Sequence, residues 1–249
     1  MPAEAEAAQE KSYVTYSITS LSAEEPPAIT ISESRNLLGG TGTTGFRTWE
    51  ASLQMGDFLT SSSCPADLSL ESKTILELGC GTGYLSALCA KYLKAAHITA
   101  TDGFDTVVDD LDENFSLNGL KISSRLRTRL LKWGKGSFSD VCGTGSTFLE
   151  GKAPDIILGA DVTYDAAALP DLCETLEDIL VAYPETQILI ASTVRNQDTF
   201  KKFLQLCEKH NFEQESLEWK PKVPEEQTGP FYRVDMPVKM SRITFKKQA

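Results

Sequence analysis

Apolar positions along the chain switch repeatedly between a short continuous run and helical spacing. Ile75, Leu76 and Leu78 lie in such a run; Gly79, Gly81 and Gly83 break it, and Leu85, Leu88, Cys89 and Tyr92 then recur three and four apart. This predicts a buried strand that turns at once into a helix running to about Lys94. His97 to Asp102 is a second strand, followed by a helix with Asp105 as its N-cap, a buried stripe of Val108, Leu111 and Phe115, and a stop at Asn118-Gly119. Arg125 to Leu131 alternates charged and apolar with period two, as a strand with one wet face near a sheet edge does, and it ends in Lys132-Trp133-Gly134. Residues 134–151 are rich in Gly and Ser and read as a loop.

Pro154 to Tyr164 is the fourth strand, apolar enough to be central. Leu169, Leu172, Leu176, Ile179 and Leu180 mark the next helix, and Gln187 to Val194 the fifth strand. Asn196 caps a helix whose stripe is Phe200, Phe203, Leu204 and Cys207. Glu213 to Trp219 and Lys239 to Phe245 give a C-terminal hairpin around a Pro-rich segment, which makes seven strands. Ahead of them, Tyr13, Val14, Tyr16 and Ile18 with Ile29 to Ile31 predict a further hairpin. Gly39 to Gly45 forms a mobile loop, and Trp49 leads a helix with Leu53 and Phe58 inward. The Ala/Glu-rich start, residues 1–12, is expected to be disordered. Alternating strands and helices make the class α/β with a mostly parallel sheet.

Composition narrows the function classes. The chain has 249 residues, 41% of them hydrophobic, and a net charge of -11. That charge argues against nucleic acid, whose binding rests on Lys and Arg releasing counterions. No apolar run approaches the roughly 20 residues of a membrane span, and Met1 to Glu10 is acidic, unlike a signal peptide. The expectation is a cytoplasmic monomer with no membrane partner. Six cysteines without a C-x-x-C pair read as reduced core thiols, and two histidines, His97 and His210, are too few for a His-based metal centre, so no metal is expected.

A glycine turn opening a helix offers unsatisfied amides and a favourable dipole to the polar groups of a nucleotide-like ligand. Its spacing here is G-x-G-x-G, one residue short of the dinucleotide fingerprint, with Glu77 two residues before the first glycine and no P-loop Lys-Ser/Thr pair. Asp102, 23 positions after Gly79, ends the second strand where a carboxylate can accept both hydroxyls of a ribose. Asp161 and Tyr164 end the fourth strand, beside the first across the switch point of an open sheet, where ligands bind. Trp49 and Trp133 each read either as packing aromatics or as walls of the ligand site.

Together, Thr44-Gly45…Thr48-Trp49, Glu77 to Gly83, Asp102, Asp161-Val162-Thr163-Tyr164 and Ser192 to Asn196 resemble the motifs of the family 16, seven-strand protein lysine methyltransferases. The T-T-G-x-x-T-W start and the T-V-R-N segment are most similar to members acting on elongation factor 2. The resemblance implies a Rossmann-like class I fold: an N-terminal hairpin, glycine-rich loop and helix over residues 13–60, packed on a methyltransferase domain over 61–249. It implies S-adenosylmethionine as cofactor, bound by Trp49, Glu77, Gly79, Cys80, Gly81, Thr82, Gly83, Asp102, Gly103, Phe104, Trp133 and Ala160. Asp161 and Tyr164 would line the lysine channel and act in catalysis, on a protein substrate for which elongation factor 2 is the expectation. Members carry a longer, largely helical N-terminal extension, so this chain is expected to be a shortened form. A small-molecule methyltransferase and a non-catalytic cofactor-binding adaptor remain as alternatives; glycine spacing disfavours a nicotinamide dehydrogenase.

Overall fold

The computed structural model describes residues 11–21, 25, 27–34, 43–134 and 152–246. Strands β3 (Thr74–Leu78), β4 (His97–Asp102), β5 (Leu126–Leu130), β6 (Ile156–Ala160), β7 (Gln187–Thr193), β8 (Phe212–Leu217) and β9 (Val238–Phe245) form one sheet in the order β5-β4-β3-β6-β7-β9-β8. The first five are parallel, while β9 slots between β7 and β8 antiparallel to both. The chain builds outward from β3 to β5, then restarts on the other side of β3 with β6. Two strand ends therefore diverge there and leave a crevice at their carboxyl side.

Helices cover both faces because strands buried on two sides offer apolar groups alternately to each. Ile75 and Leu158 face α1 (Glu50–Thr60), α2 (Tyr84–Lys91) and α3 (Asp105–Leu117), through Phe58, Leu88 and Phe115. Leu76, Leu78 and Ile157 face α4 (Leu169–Ala182) and α5 (Gln197–Lys209), through Leu172, Leu176 and Phe203. The N-terminal hairpin forms as expected from β1 (Ser12–Ser17) and β2 (Ala28–Glu33), and Ile29 and Ile31 join the first of these cores. The free edge of β2 is closed by side-chain amides of α3. Asn118 accepts from Thr30 N–H (2.8 Å) and donates to its carbonyl (2.7 Å); Asn114 accepts from Ser32 N–H (2.7 Å). No helix among the described residues is long and apolar enough to cross a membrane.

Several local expectations shift. Helix α2 ends at Lys91, short of Lys94, which takes a left-handed φ of 53°. Phe104 holds the N-cap position of α3 and Asp105 is the first helical residue, so the buried stripe falls on Val107, Leu111 and Phe115, with Val108 only half-buried. On the edge strand β5 the expected alternation is lost, since Leu126 and Arg127 are both buried. Arg127 is buried, beside His97, Thr99 and Lys152, while Leu130 is exposed because it faces the crevice. Strand β6 stops at Ala160, since Asp161 turns left-handed with φ 58°. Lys11 reaches Asp110 (2.7 Å) and Ser12 already belongs to β1, so the part of the expected disordered start that is described is tied down. Residues 1–10, the glycine tract to residue 42, and residues 135–151 with Cys142, where the sequence predicts a loop, lie outside the described residues.

Candidate active site

Past Leu78 the backbone turns through three left-handed glycines, with φ of 60°, 50° and 77° at Gly79, Gly81 and Gly83. The last is fixed by packing as well as dihedral: a Cβ on Gly83 would lie 2.7 Å from Leu111 Cδ2. The Asp102 carboxylate accepts from Gly81 N–H (3.1 Å) on one oxygen and from Phe104 N–H (3.2 Å) on the other. Burial pushes its pKa up, and bonds from Gly81, Phe104 and Gly103 amides oppose that rise. Each oxygen keeps a lone pair for a further donor.

The turn is pinned from outside by the N-terminal elements. Thr82 Oγ1 meets Thr48 Oγ1 at 2.8 Å, and Asn114 donates to the Thr82 carbonyl at 2.9 Å. Thr48 N–H in turn donates to Glu33 (2.9 Å), whose other oxygen accepts from Tyr16 (3.0 Å). A buried chain of bonds thus runs from the hairpin to the glycines.

The crevice is a cleft of about 1020 Å³. Its wall carries Trp49, Gly79, Cys80, Gly81, Thr82, Asp102, Gly103, Phe104, Trp133, Ala160, Asp161 and Tyr164, which are all but two of the residues singled out in the sequence. Glu77 and Gly83 do not reach it. Glu77 is buried beneath the turn, where Ser86 Oγ donates to its carboxylate, and burial first, then the nearby Asp102 charge, push its pKa up to about 8. Gly83 backs onto Leu111 and Phe115. Both shape the turn from behind.

At the far end, Asp161 sits just past β6, 7% exposed and left-handed, with its N–H on the Ala191 carbonyl (2.8 Å). Both of its oxygens accept from Arg195, at 3.0 and 2.7 Å. Arg195 follows β7 and precedes Asn196, whose side chain caps α5 by accepting from Asp198 N–H (2.8 Å) and Thr199 N–H (3.4 Å). The Arg195 guanidinium lies 5.2 Å from the centre of the Trp49 ring and that of Arg47 4.7 Å, within cation–π range. Trp49 Nε1 donates to the Thr44 carbonyl (3.0 Å), and the Tyr164 hydroxyl lies 3.4 Å from Thr44 Oγ1. Tyr164 is 54% exposed at the mouth. Sequence reasoning gave neither arginine a role. The available signal was that strands four and five end side by side, which brings residues 34 apart into contact.

A model of the family described as lysine methyltransferase matches residues 26–210. The chain belongs to that family. It is 42% identical over 245 residues to the protein-lysine N-methyltransferase EFM3 of Chaetomium thermophilum, covering 98% of this chain and 70% of that one. It is 34% identical over 198 residues to EFM3 of Saccharomyces cerevisiae (75% and 55%), and 29% over 189 residues to the human protein-lysine N-methyltransferase EEF2KMT (71% and 53%). The chain thus spans 70% of the first relative's length and about half of the other two. In fold it matches the crystal structure of precorrin-6y C5,15-methyltransferase from Geobacter metallireducens, with a TM-score of 0.51 at 12% identity over 79% of this chain and 98% of that one.

The cofactor of this lysine methyltransferase family is S-adenosylmethionine, and the cleft fits it. Asp102 has acceptor capacity left for a ribose. Exposed Phe104 and Leu130 with half-buried Trp133 form an apolar end of a kind that an adenine ring would fit, and the bare glycine backbone leaves room for close approach.

Proposed function

We propose that this protein transfers methyl groups from S-adenosylmethionine to a lysine side chain of a protein substrate, and that the substrate is elongation factor 2. The observation that carries the reading is a single cleft joining the Asp102-anchored glycine turn to the Asp161–Tyr164 segment. Support for elongation factor 2 comes from the T-T-G-x-x-T-W and T-V-R-N segments, which supply Thr44, Trp49 and Arg195 to that cleft. The proposal extends to a monomer acting in the cytoplasm, where that substrate works.

The cofactor, when bound, offers a methyl group on a sulfonium, which departs by in-line displacement. What the chain contributes is alignment. Tyr164 orients the amine through its hydroxyl, and Asp161 attracts the lysine as it arrives. The amine has to be neutral to attack. Holding a lysine uncharged at pH 7 costs about 4 to 5 kcal/mol, and withdrawal of the amine from water into the cleft lowers that cost by disfavouring the ammonium. No histidine stands among the cleft residues described, so the proton leaves to water at the open mouth beside Tyr164.

Asp161→Ala is expected to lower methylation of elongation factor 2 by at least about a hundredfold, while calorimetry shows S-adenosylhomocysteine binding within a few-fold of wild type. Loss of cofactor binding instead would overturn the role of Asp161. Labelled S-adenosylmethionine in a cell extract tests the substrate: a single band at the mass of elongation factor 2 is expected, and bands elsewhere would redirect it.

A further inference from the structure

If Asp161 lines the lysine channel, as proposed above, its charge presents a problem. A carboxylate within about 4 to 6 Å of an amine favours the ammonium form and moves its pKa up by about 1 to 3 units. An ammonium has no lone pair with which to attack. A lone Asp161 would capture the substrate well and then hold it inert.

Asp161 is not alone. Its side chain is almost fully buried, and the guanidinium of Arg195 covers both oxygens in a forked pair at 3.0 and 2.7 Å. Such pairs fix geometry as well as charge. Arg195 is braced on its other side by the Trp49 ring, and the cap that Asn196 makes on α5 fixes the backbone next to it. Its guanidinium is held firmly charged, chiefly by the hydrogen bonds to Asp161. The remaining charged and titratable groups facing the pair are few. Arg47 and Glu50, at the start of α1, pair with each other (3.1 Å). Tyr164 and Asp165 come from the loop after β6, Asp171 from α4 and Lys132 from the end of β5. Asp102 and Asp105 also line the cleft, at the glycine-turn end. The Asp161–Arg195 pair is itself a dipole without net charge.

We propose that Arg195 is a positioning residue that cancels the charge of Asp161, so that the wall recognises a lysine side chain while leaving its amine free to deprotonate. In the covered state the pair offers the incoming ammonium a carboxylate edge for hydrogen bonding. The proton then passes to water at the mouth, because no uncompensated anion holds it. The neutral nitrogen takes the methyl group, and the bond from that carbon to sulfur breaks.

The test is the pH dependence of kcat and KM with elongation factor 2 as acceptor, for wild type, Arg195→Gln, Arg195→Lys and Asp161→Asn. In Arg195→Gln the rising limb of kcat is expected to move up by about one pH unit or more, with about a tenfold loss near pH 7 that recovers at high pH. KM should stay level or fall, and S-adenosylhomocysteine affinity should stay within about twofold. Arg195→Lys, which keeps the charge, should restore the limb to within a few tenths of a unit. An Arg195→Gln enzyme slower by one factor at every pH would show a purely structural role and overturn the proposal. So would a higher KM with an unmoved limb, which marks direct substrate contact. Asp161→Asn separates the two levels: its inactivity together with an unmoved Arg195→Gln limb sinks only the Arg195 role, whereas full activity of Asp161→Asn removes Asp161 from the lysine channel and takes the underlying reading with it.

Discussion

Glu77 is buried from solvent, accepts from the hydroxyl and backbone N–H of Ser86, and lies close enough to Asp102 to feel its charge; burial first pushes its carboxyl from the ordinary 4.5 up to about 8. Between those values the folded protein holds a proton that the unfolded chain has released. The resulting stabilisation is complete below pH 4.5 and is lost as pH rises through 8. Melting temperature should therefore fall from pH 5.5 to 8.5 in wild type and stay nearly flat in Glu77→Gln, which should be the more stable by a few kcal/mol, on the order of 3 to 5, at the upper end. Gly83→Ala should cost about 2 to 4 kcal/mol in urea unfolding, because the left-handed dihedral and the 2.7 Å approach of Leu111 are both violated. The sequence made Glu77 conspicuous as a motif letter, but did not show that it lies buried beneath the turn and away from the cleft wall. A strand buried on both faces carries no alternation, so nothing in its pattern shows toward which side residue 77 points.

Among the elements, α3 does more than its apolar stripe suggests. Asn114 bonds the Ser32 amide and the Thr82 carbonyl at once, joining the hairpin, the helix and the glycine turn. Asn114→Ala leaves both buried groups unsatisfied, at a cost of about 2 to 4 kcal/mol by denaturant titration. Hydrogen exchange at Ser32 should quicken, and S-adenosylhomocysteine affinity should drop as the turn loosens. Element positions were readable from the chain: the strand over 97–102, the helix ended by Asn118-Gly119 and the Asn196 cap all lie where period and capping chemistry put them. The second role of Asn118, on Thr30, was not. Hydrophobic period fixes which face of a helix is buried but is silent about polar side chains that bond a distant strand.

For the whole molecule, alternation of strand and helix was enough to give the sheet and its antiparallel end, and with it the side on which the cleft opens. The Asp161–Arg195 pair was legible only from which strands lie side by side, not from either segment alone. It depends on register between the two strands: Ala160, the last residue of β6, pairs with Ala191, and β7 runs on to Thr193, a relation that no local window contains. The overall charge of -11 belongs to this scale too. Fluorescence anisotropy with labelled RNA or duplex DNA in 0.1 M salt should show no saturable binding up to about 100 μM, the weak end of ordinary non-specific affinity.

The closed edge of β2 also has a consequence in time. Ser32 and Thr30 are made 82 and 88 residues before the asparagines that seal them. A nascent hairpin leaving the ribosome thus carries an open edge until the helix over 105–117 has been synthesised and laid against the sheet. The glycine turn falls between the two in the chain and needs both, so it is not braced until Asn118 has been made, nearly halfway along the 249 residues, when hairpin and helix meet over it.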